Sequence, residues 1–236
     1  MSSIVPCRNQ VLQSLPAAEL ETLRPHLVST ELVKDTVLVE AGAPQSHVYL
    51  PHSGVISMMV SLAGGQSVEV AMIGHESIFG AAAALCGQFA LTDAVVALPG
   101  TASILDAAQL RAVAEESAAF RTTLIRHEQA LLAQAQQSAA CNTAHPVEAR
   151  LSRWLLRIRD IYDGETLPLT QDFLARMIGV QRNAVSLVAH ALQQAGIISY
   201  SRGHIHITNM EALLETSCEC YHVVKAQYDR LLMRSG

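Results

Sequence analysis

The chain has 236 residues, of which 50% are hydrophobic and 16% charged, with a formal net charge of −5. These values allow two modest packed domains and exclude wholesale disorder, and the acidic balance excludes a uniformly basic nucleic-acid coat. The charge is uneven: residues 1–145 hold 6 Lys/Arg against 12 Asp/Glu, a net of −6, and residues 146–236 hold 10 against 9, a net of +1. No apolar run approaches the roughly 18 residues of a membrane span. The amino end lacks the charged start and apolar core of a secretory signal. Five cysteines, an odd number, do not form a disulfide framework. A reduced, cytoplasmic protein without a membrane partner is expected.

Leucines at 12, 15, 20, 23 and 27 with Pro16 predict a short helical lead-in. From Val33 to Leu105 the texture changes to β-branched runs broken by Gly42, Gly54, Gly64, Gly65, Gly74 and Gly100, with Gly64-Gly65 at a tight hairpin. This spacing predicts an antiparallel roll or jelly roll. Within it "FGAAAALCGQFALTD", residues 79–93, carries no charge before Asp93, and Cys86 is expected in the core. Asp106 is an N-cap for "AAQLRAVAEES". A stretch without Gly or Pro follows from about Ser117 to Cys141. In it Phe120, Leu124, His127, Leu131, Gln134, Ser138 and Cys141 fall at alternating four- and three-residue steps. That seam fits either a partner helix or the protein's own roll. Pro146 then opens a helix that stops near Gly164 and turns Trp154 into a core.

The sharpest signal is "TQDFLARMIGVQRNAVSLVAHALQQAGII". Thr170 caps a helix, Gly179 sits at a tight turn, and Leu174, Ile178, Val180, Val185 and Val188 are apolar where two helices must cross, with Ala175 small at the crossing. This is helix-turn-helix spacing, and it lies in a run from Phe173 to Met210 that contains no Asp or Glu. A surface without carboxylates suits an anionic partner. "IISYSRGHIHIT" reads as two strands joined at Arg202-Gly203, which makes the module a winged helix. Arg182, Asn183, Ser186 and Leu187 lie near the start of the second helix, opposite its apolar face. Arg182 suits a bidentate contact to guanine and Asn183 a contact to adenine. Thr170, Gln171, Gln181 and Arg202 suit phosphates, which position a protein without reading sequence.

A roll, a heptad helix and a winged helix, in that order, resemble the Crp/Fnr family of bacterial transcription regulators. The strongest carriers are "EAGAPQSHVYLPHSG", "IGHESIFG" and "LTQDFLARMIGVQRNAVSLVAHALQQAGII". The fold class is therefore α+β: an N-terminal antiparallel β-roll of the cyclic-nucleotide-binding kind with a lead-in helix over 1–116, a long dimerisation helix over 117–145, and a winged helix-turn-helix over 146–236. The resemblance implies a homodimer joined along Phe120, Leu124, His127, Leu131, Gln134 and Ser138, a palindromic site on double-stranded DNA, and contact with RNA polymerase. It also implies a phosphate cradle in which a glutamate follows Gly80 and an arginine stands eleven residues after that glycine. Here those positions hold Ala81 and Leu91, and only Thr92 keeps the expected hydroxyl. Control by cyclic AMP or GMP is not expected. Family activators place a glutamate and a second arginine where this chain has Asn183 and Leu187, so its preferred half-site should differ.

Other sensors fare no better. Iron–sulfur members carry an amino-terminal cysteine cluster, and this chain has only Cys7 there. Haem-binding members use a roll histidine, for which His75 is the candidate. A cupin-like metal enzyme would draw on His47, His52, His75 and Glu76, but the chain lacks the close pair of histidines that aims two rings at one ion. Cys218, Cys220 and His222 alternate, and three donors without a fourth make a poor zinc site. They are expected to pack a terminal helix against the wing domain, with a redox role for the thiol pair as the alternative. No cofactor, metal or enzymatic activity is expected. The alternative regulator is one gated by a non-nucleotide or redox effector.

Overall fold

The computed structural model describes residues 8–86, 89–162, 164 and 166–232. Cys7 lies outside them. Two short helices, α1 (Gln10–Ser14) and α2 (Ala17–Leu23), lead into a roll of two antiparallel sheets. One sheet contains β1 (Val28–Leu32), β3 (His47–Pro51) and β7 (Gly100–Asp106), in the order β1-β7-β3. The other contains β2 (Val37–Val39), β4 (Val55–Ser61), β5 (Ser67–Ile73) and β6 (Asp93–Leu98), in the order β2-β6-β4-β5. The β4–β5 hairpin turns at Gly64-Gly65, where Leu62 N donates to Gln66 O at 2.7 Å. Leu32, Ile56, Ile73, Phe79 and Val96 fill the roll between the sheets.

Between β5 and β6 the chain forms α3 (Ala81–Cys86). Its three-residue spacing turns Ala81 and Ala84 inward, both fully buried, and leaves Cys86 exposed, which corrects the core expectation for that thiol. Asp106 caps α4 (Ala107–Glu116), its carboxylate accepting from Ala108 N at 2.8 Å. Ser117 then caps α5 (Ala118–Ala144), a helix of 27 residues.

On α5 the expected seam is turned inward. Phe120, Leu124, His127, Leu131, Gln134, Ser138 and Cys141 are all buried within this one chain. Phe120 and Leu124 join the cluster under the lead-in helices, and Leu131 completes the core of the roll. The polar members are satisfied at home: His127 Nδ1 meets Ser77 Oγ at 3.4 Å, and Gln134 Oε1 accepts from Tyr228 OH at 2.9 Å. These residues are thus not a partner-facing surface. The opposite face repeats the same alternation with Thr122, Ile125, Gln129, Leu132, Gln136 and Ala139, all exposed. The heptad period thus runs along two faces of α5, one buried within the chain and one exposed.

The C-terminal part comprises α6 (Val147–Ile161), β8 (Thr166–Leu167), α7 (Gln171–Ile178), α8 (Arg182–Gln194), β9 (Ile198–Ser201), β10 (His204–Ile207), α9 (Met210–Thr216) and α10 (Cys220–Leu232). Trp154 is buried at the middle of a core that mixes Val55, Met72 and Leu98 of the roll with Phe173, Ile178 and Val185. Terminal helix α10 lies along α5, with Val224 and Tyr228 against Ala130, and also packs on the wing domain, where Tyr221 joins the core and its hydroxyl donates to Asp160. Among the described residues no helix is long and apolar enough to cross a membrane.

Candidate nucleic-acid interface and effector cleft

Thr170 starts α7, its hydroxyl accepting from Phe173 N at 3.2 Å. The helix ends at Gly179, with φ +65° and ψ 44°, a left-handed turn that favours glycine. A Cβ there would lie 3.0 Å from Val68 Cγ2, so the β4–β5 hairpin closes directly on the turn. Beyond the turn, α8 buries Val185, Ala189 and Leu192. Its other face presents Arg182, Asn183, Leu187 and His190 to solvent. Leu187 is 74% exposed on that face.

Arg182 Nε stands 3.5 Å from Asp172 Oδ1, with both side chains 63% exposed. Exposed pairs of this kind are worth at most about 1 kcal/mol, so the guanidinium remains available to another anion. Ser186 differs from its neighbours. Its hydroxyl lies within reach of Gln171 Oε1 and of the Arg182 carbonyl, the latter at 3.1 Å. Without a DNA partner, this hydroxyl and its single proton tie α8 to α7 or back to its own first turn. Gln171 keeps its amide nitrogen, and Gln181 is exposed at the start of α8.

The wing is a two-residue hairpin with Arg202 at φ 49° and Gly203 at φ 79°. Positive φ at both central positions matches the right-handed twist of the flanking strands. Arg202 is exposed at its tip. Gln193 Oε1 accepts from Tyr200 N at 2.9 Å and holds the wing to α8, a contact that periodicity did not signal.

Buried polar contacts fasten this unit to the roll. Trp154 Nε1 donates to Glu69 Oε1 at 2.6 Å, and Ser57 Oγ bonds the other carboxyl oxygen. Burial pushes the Glu69 carboxyl up to about 7, although the hydrogen bonds from Ser57 and Trp154 pull the other way. Arg157 Nη2 meets Glu76 Oε1 at 2.6 Å, and its guanidinium lies 4.5 Å from the centre of the Tyr228 ring. A buried pair such as this fixes geometry more surely than it adds stability.

In the roll, Gly80 has φ +89°, and a Cβ there would come within 2.6 Å of Gln45 Nε2. Ala81 begins α3, whose Ala82 N donates at 3.0 Å to Glu128 Oε1 of α5. Sequence reasoning missed this carboxylate. At the other end of α3, Arg111 Nε donates to Ala84 O at 2.9 Å. The cleft beside α3 is lined by Met58, Phe79, Ala83, Leu91 and Thr92 among others, and Glu128 is its only charged lining residue among those described. Leu91, where a cyclic phosphate would need a cation, is 83% exposed.

The roll histidines are engaged separately. His75 Nδ1 meets the Ile161 carbonyl at 3.2 Å, His52 Nε2 meets Ser103 Oγ at 2.8 Å, and His47 Nδ1 meets Ser46 Oγ at 2.9 Å. With Glu76 paired to Arg157, the four residues considered for a cupin-like ion do not converge. The carboxyl-end cysteines do converge, but with other partners. The Sγ and ring-nitrogen atoms of Cys141, His145, Cys218 and Cys220 all lie within 4.8 Å of one another, whereas His222 is exposed and outside the group.

A roll closed by a long helix and followed by a winged helix-turn-helix defines a DNA-binding regulator. Two family models match: the cyclic nucleotide-binding domain over residues 29–117 and the Crp-like helix-turn-helix domain over residues 149–216. The chain thus carries, in order, the two domains that Crp/Fnr transcription regulators combine, a cyclic nucleotide-binding-type roll and a Crp-like helix-turn-helix. Among solved structures it is similar to FixK2 from Bradyrhizobium japonicum, at 16% identity and a TM-score of 0.71, covering 81% of this chain and 98% of that one. A putative Crp/Fnr regulator from Eubacterium rectale gives 15% identity and 0.70, covering 89% and 98%. CLP of Xanthomonas campestris, described as a c-di-GMP responsive global regulator, gives 15% and 0.67, covering 81% and 99%. No curated protein matches the sequence.

Proposed function

We propose that this regulator binds a palindromic DNA site as a homodimer and does so without a cyclic nucleotide. The observation that carries the second half is the Glu128 carboxylate on the Ala82 amide, at the start of α3. A carboxylate there takes up the donor that an incoming phosphate would seek, and it adds a negative charge to a cleft lined by no cationic side chain among the described residues. Match to the cyclic nucleotide-binding model then describes the shape of the roll and not its ligand.

DNA reading falls to Arg182 and Asn183 at base edges and to Leu187 against a thymine methyl group, with Thr170, Gln171, Gln181 and Arg202 near phosphates. The homodimer forms along the exposed face of α5, where Ile125 is 53% and Leu132 57% exposed. Two copies of that face complete a parallel seam, and two-fold symmetry makes the DNA site a palindrome. The cytoplasm and contact with RNA polymerase follow from the family role.

A second reading keeps an effector. Gln45 Oε1 is buried without a hydrogen-bond partner at the edge of the largely apolar cleft, which favours an uncharged ligand with a donor group. Selection of genomic DNA by the purified protein alone, with cyclic AMP or GMP, and with added small molecules of a cell extract, all at fixed salt, separates these possibilities. One enriched palindrome under all conditions supports the ligand-free reading, enrichment only with a cyclic nucleotide overturns it, and enrichment only with the extract supports the second.

A further inference from the structure

We propose that Cys141, His145, Cys218 and Cys220 form a Cys3His site for a zinc ion, which clamps the carboxyl end of α5 to the junction of α9 and α10. The proposal is independent of the DNA and effector readings. Three of the chain's five cysteines meet at this one place, from segments far apart in sequence. The Cys141 and Cys218 sulfurs are 3.5 Å apart, and Cys220 Sγ is 3.6 Å from His145 Nδ1. Tetrahedral zinc with bonds of about 2.3 Å to sulfur and about 2.0 Å to nitrogen sets neighbouring ligands about 3.5–3.8 Å apart. Two of the six donor pairs stand at that spacing, and all four donors lie within 4.8 Å of one another.

Local structure explains the convergence. Cys141 and His145 are four positions apart, with His145 N donating to Cys141 O at 3.1 Å, so the two side chains share one face of the last turn of α5. Cys218 precedes α10 outside helical geometry, which lets two thiols separated only by Glu219 point the same way. On a continuous helix they would diverge.

Outer contacts favour metal ligation over the packing of inert thiols. His145 Nε2 lies 3.2 Å from Glu219 Oε1, while its Nδ1 faces Cys220 Sγ, so the ring is held with Nδ1 toward the sulfur cluster. A carboxylate behind a histidine is the usual second support of a zinc ligand. Gln137 Nε2 donates to Cys220 Sγ at 3.0 Å, as it would to a thiolate. A disulfide between Cys141 and Cys218 would use two of these groups and give His145, Glu219 and Gln137 no role. Four protein donors leave no open position, so the ion is structural and performs no chemistry.

The test is elemental analysis of the full-length protein, purified under reducing conditions and dialysed, followed by zinc competition against a chromophoric chelator. The expected result is one zinc per chain, replaceable by cobalt(II) with the visible bands of a tetrahedral thiolate site. Glu219→Gln changes an exposed side chain, so it should leave the fold intact and weaken zinc binding about 10–100-fold. His222→Ala should leave binding unchanged. Only trace zinc in reduced, folded protein equilibrated with excess metal would overturn the proposal, as would equal affinity in Glu219→Gln and the unmodified chain.

Discussion

Arg182 opens α8 with an exposed side chain that pairs with Asp172 at the start of α7. Replacing it should remove a base contact while leaving the buried face of α8 untouched. Arg182→Ala is predicted to cost about 1–3 kcal/mol at the preferred site and much less on unrelated DNA. Fluorescence anisotropy at constant salt reads both, and equal losses on the two DNAs would reassign Arg182 to phosphate. Glu69 gives a second test, this one of docking. Its carboxyl is raised from 4.5 to about 7, so the folded state holds a proton that the unfolded chain releases. The stability it contributes is present at low pH and lost as pH rises from about 4.5 to about 7. His127 runs the other way: burial lowers it from 6.5 to about 4, so its contribution is lost as pH falls through that interval. Above pH 6.5, then, only the Glu69 slope of these two remains. Glu69→Gln is predicted to reduce the fall in Tm between pH 6.5 and neutrality, and an unaltered slope would show that the carboxyl is already ionised in the fold.

Helix α5 shows how far an element can be read from its residues. Its heptad period was legible because leucines and a phenylalanine recur at the right steps. Its orientation was not, because Ile125 and Leu132 repeat that spacing on the far side of the helix. Two apolar stripes on one helix match a layer that packs on both faces, and sequence alone does not rank them. Buried His127, Gln134 and Ser138 looked like weak seam positions, yet the first two find partners in Ser77 and Tyr228, on segments no local pattern connects. The two faces separate experimentally. Ile125→Glu with Leu132→Glu should yield a folded monomer by sedimentation, since paired copies would place like charges in the seam. Leu124→Ala should leave the oligomeric state alone and cost about 2–5 kcal/mol in denaturant unfolding, because that side chain is fully buried. A dimer that survives both glutamates would place the interface elsewhere.

Across the molecule, the arrangement of roll, helix and winged helix was legible because each part has its own texture: glycine-broken β-branched runs, a segment free of Gly and Pro, and an acid-free helix pair. The acid-free run from Phe173 to Met210 takes in the readable face of α8 and the wing, so the charge asymmetry between the two halves has a place in the fold. Two features depended on tertiary structure. Glu128 reaches α3 across 46 residues, and Cys141 meets Cys218 across 77, distances at which spacing carries no signal. The missing charges at Ala81 and Leu91 led to the expectation that a phosphate is not held, and the Glu128 carboxylate on Ala82 N is the physical ground of our proposal that one is opposed. The most direct measurement of that claim is the affinity of the full-length protein for its selected palindrome at one salt concentration, without ligand and with saturating cyclic AMP or cyclic GMP. Equal affinity under all three conditions is predicted, and a tightening of about tenfold or more with either nucleotide, some 1.4 kcal/mol of coupling, would contradict it.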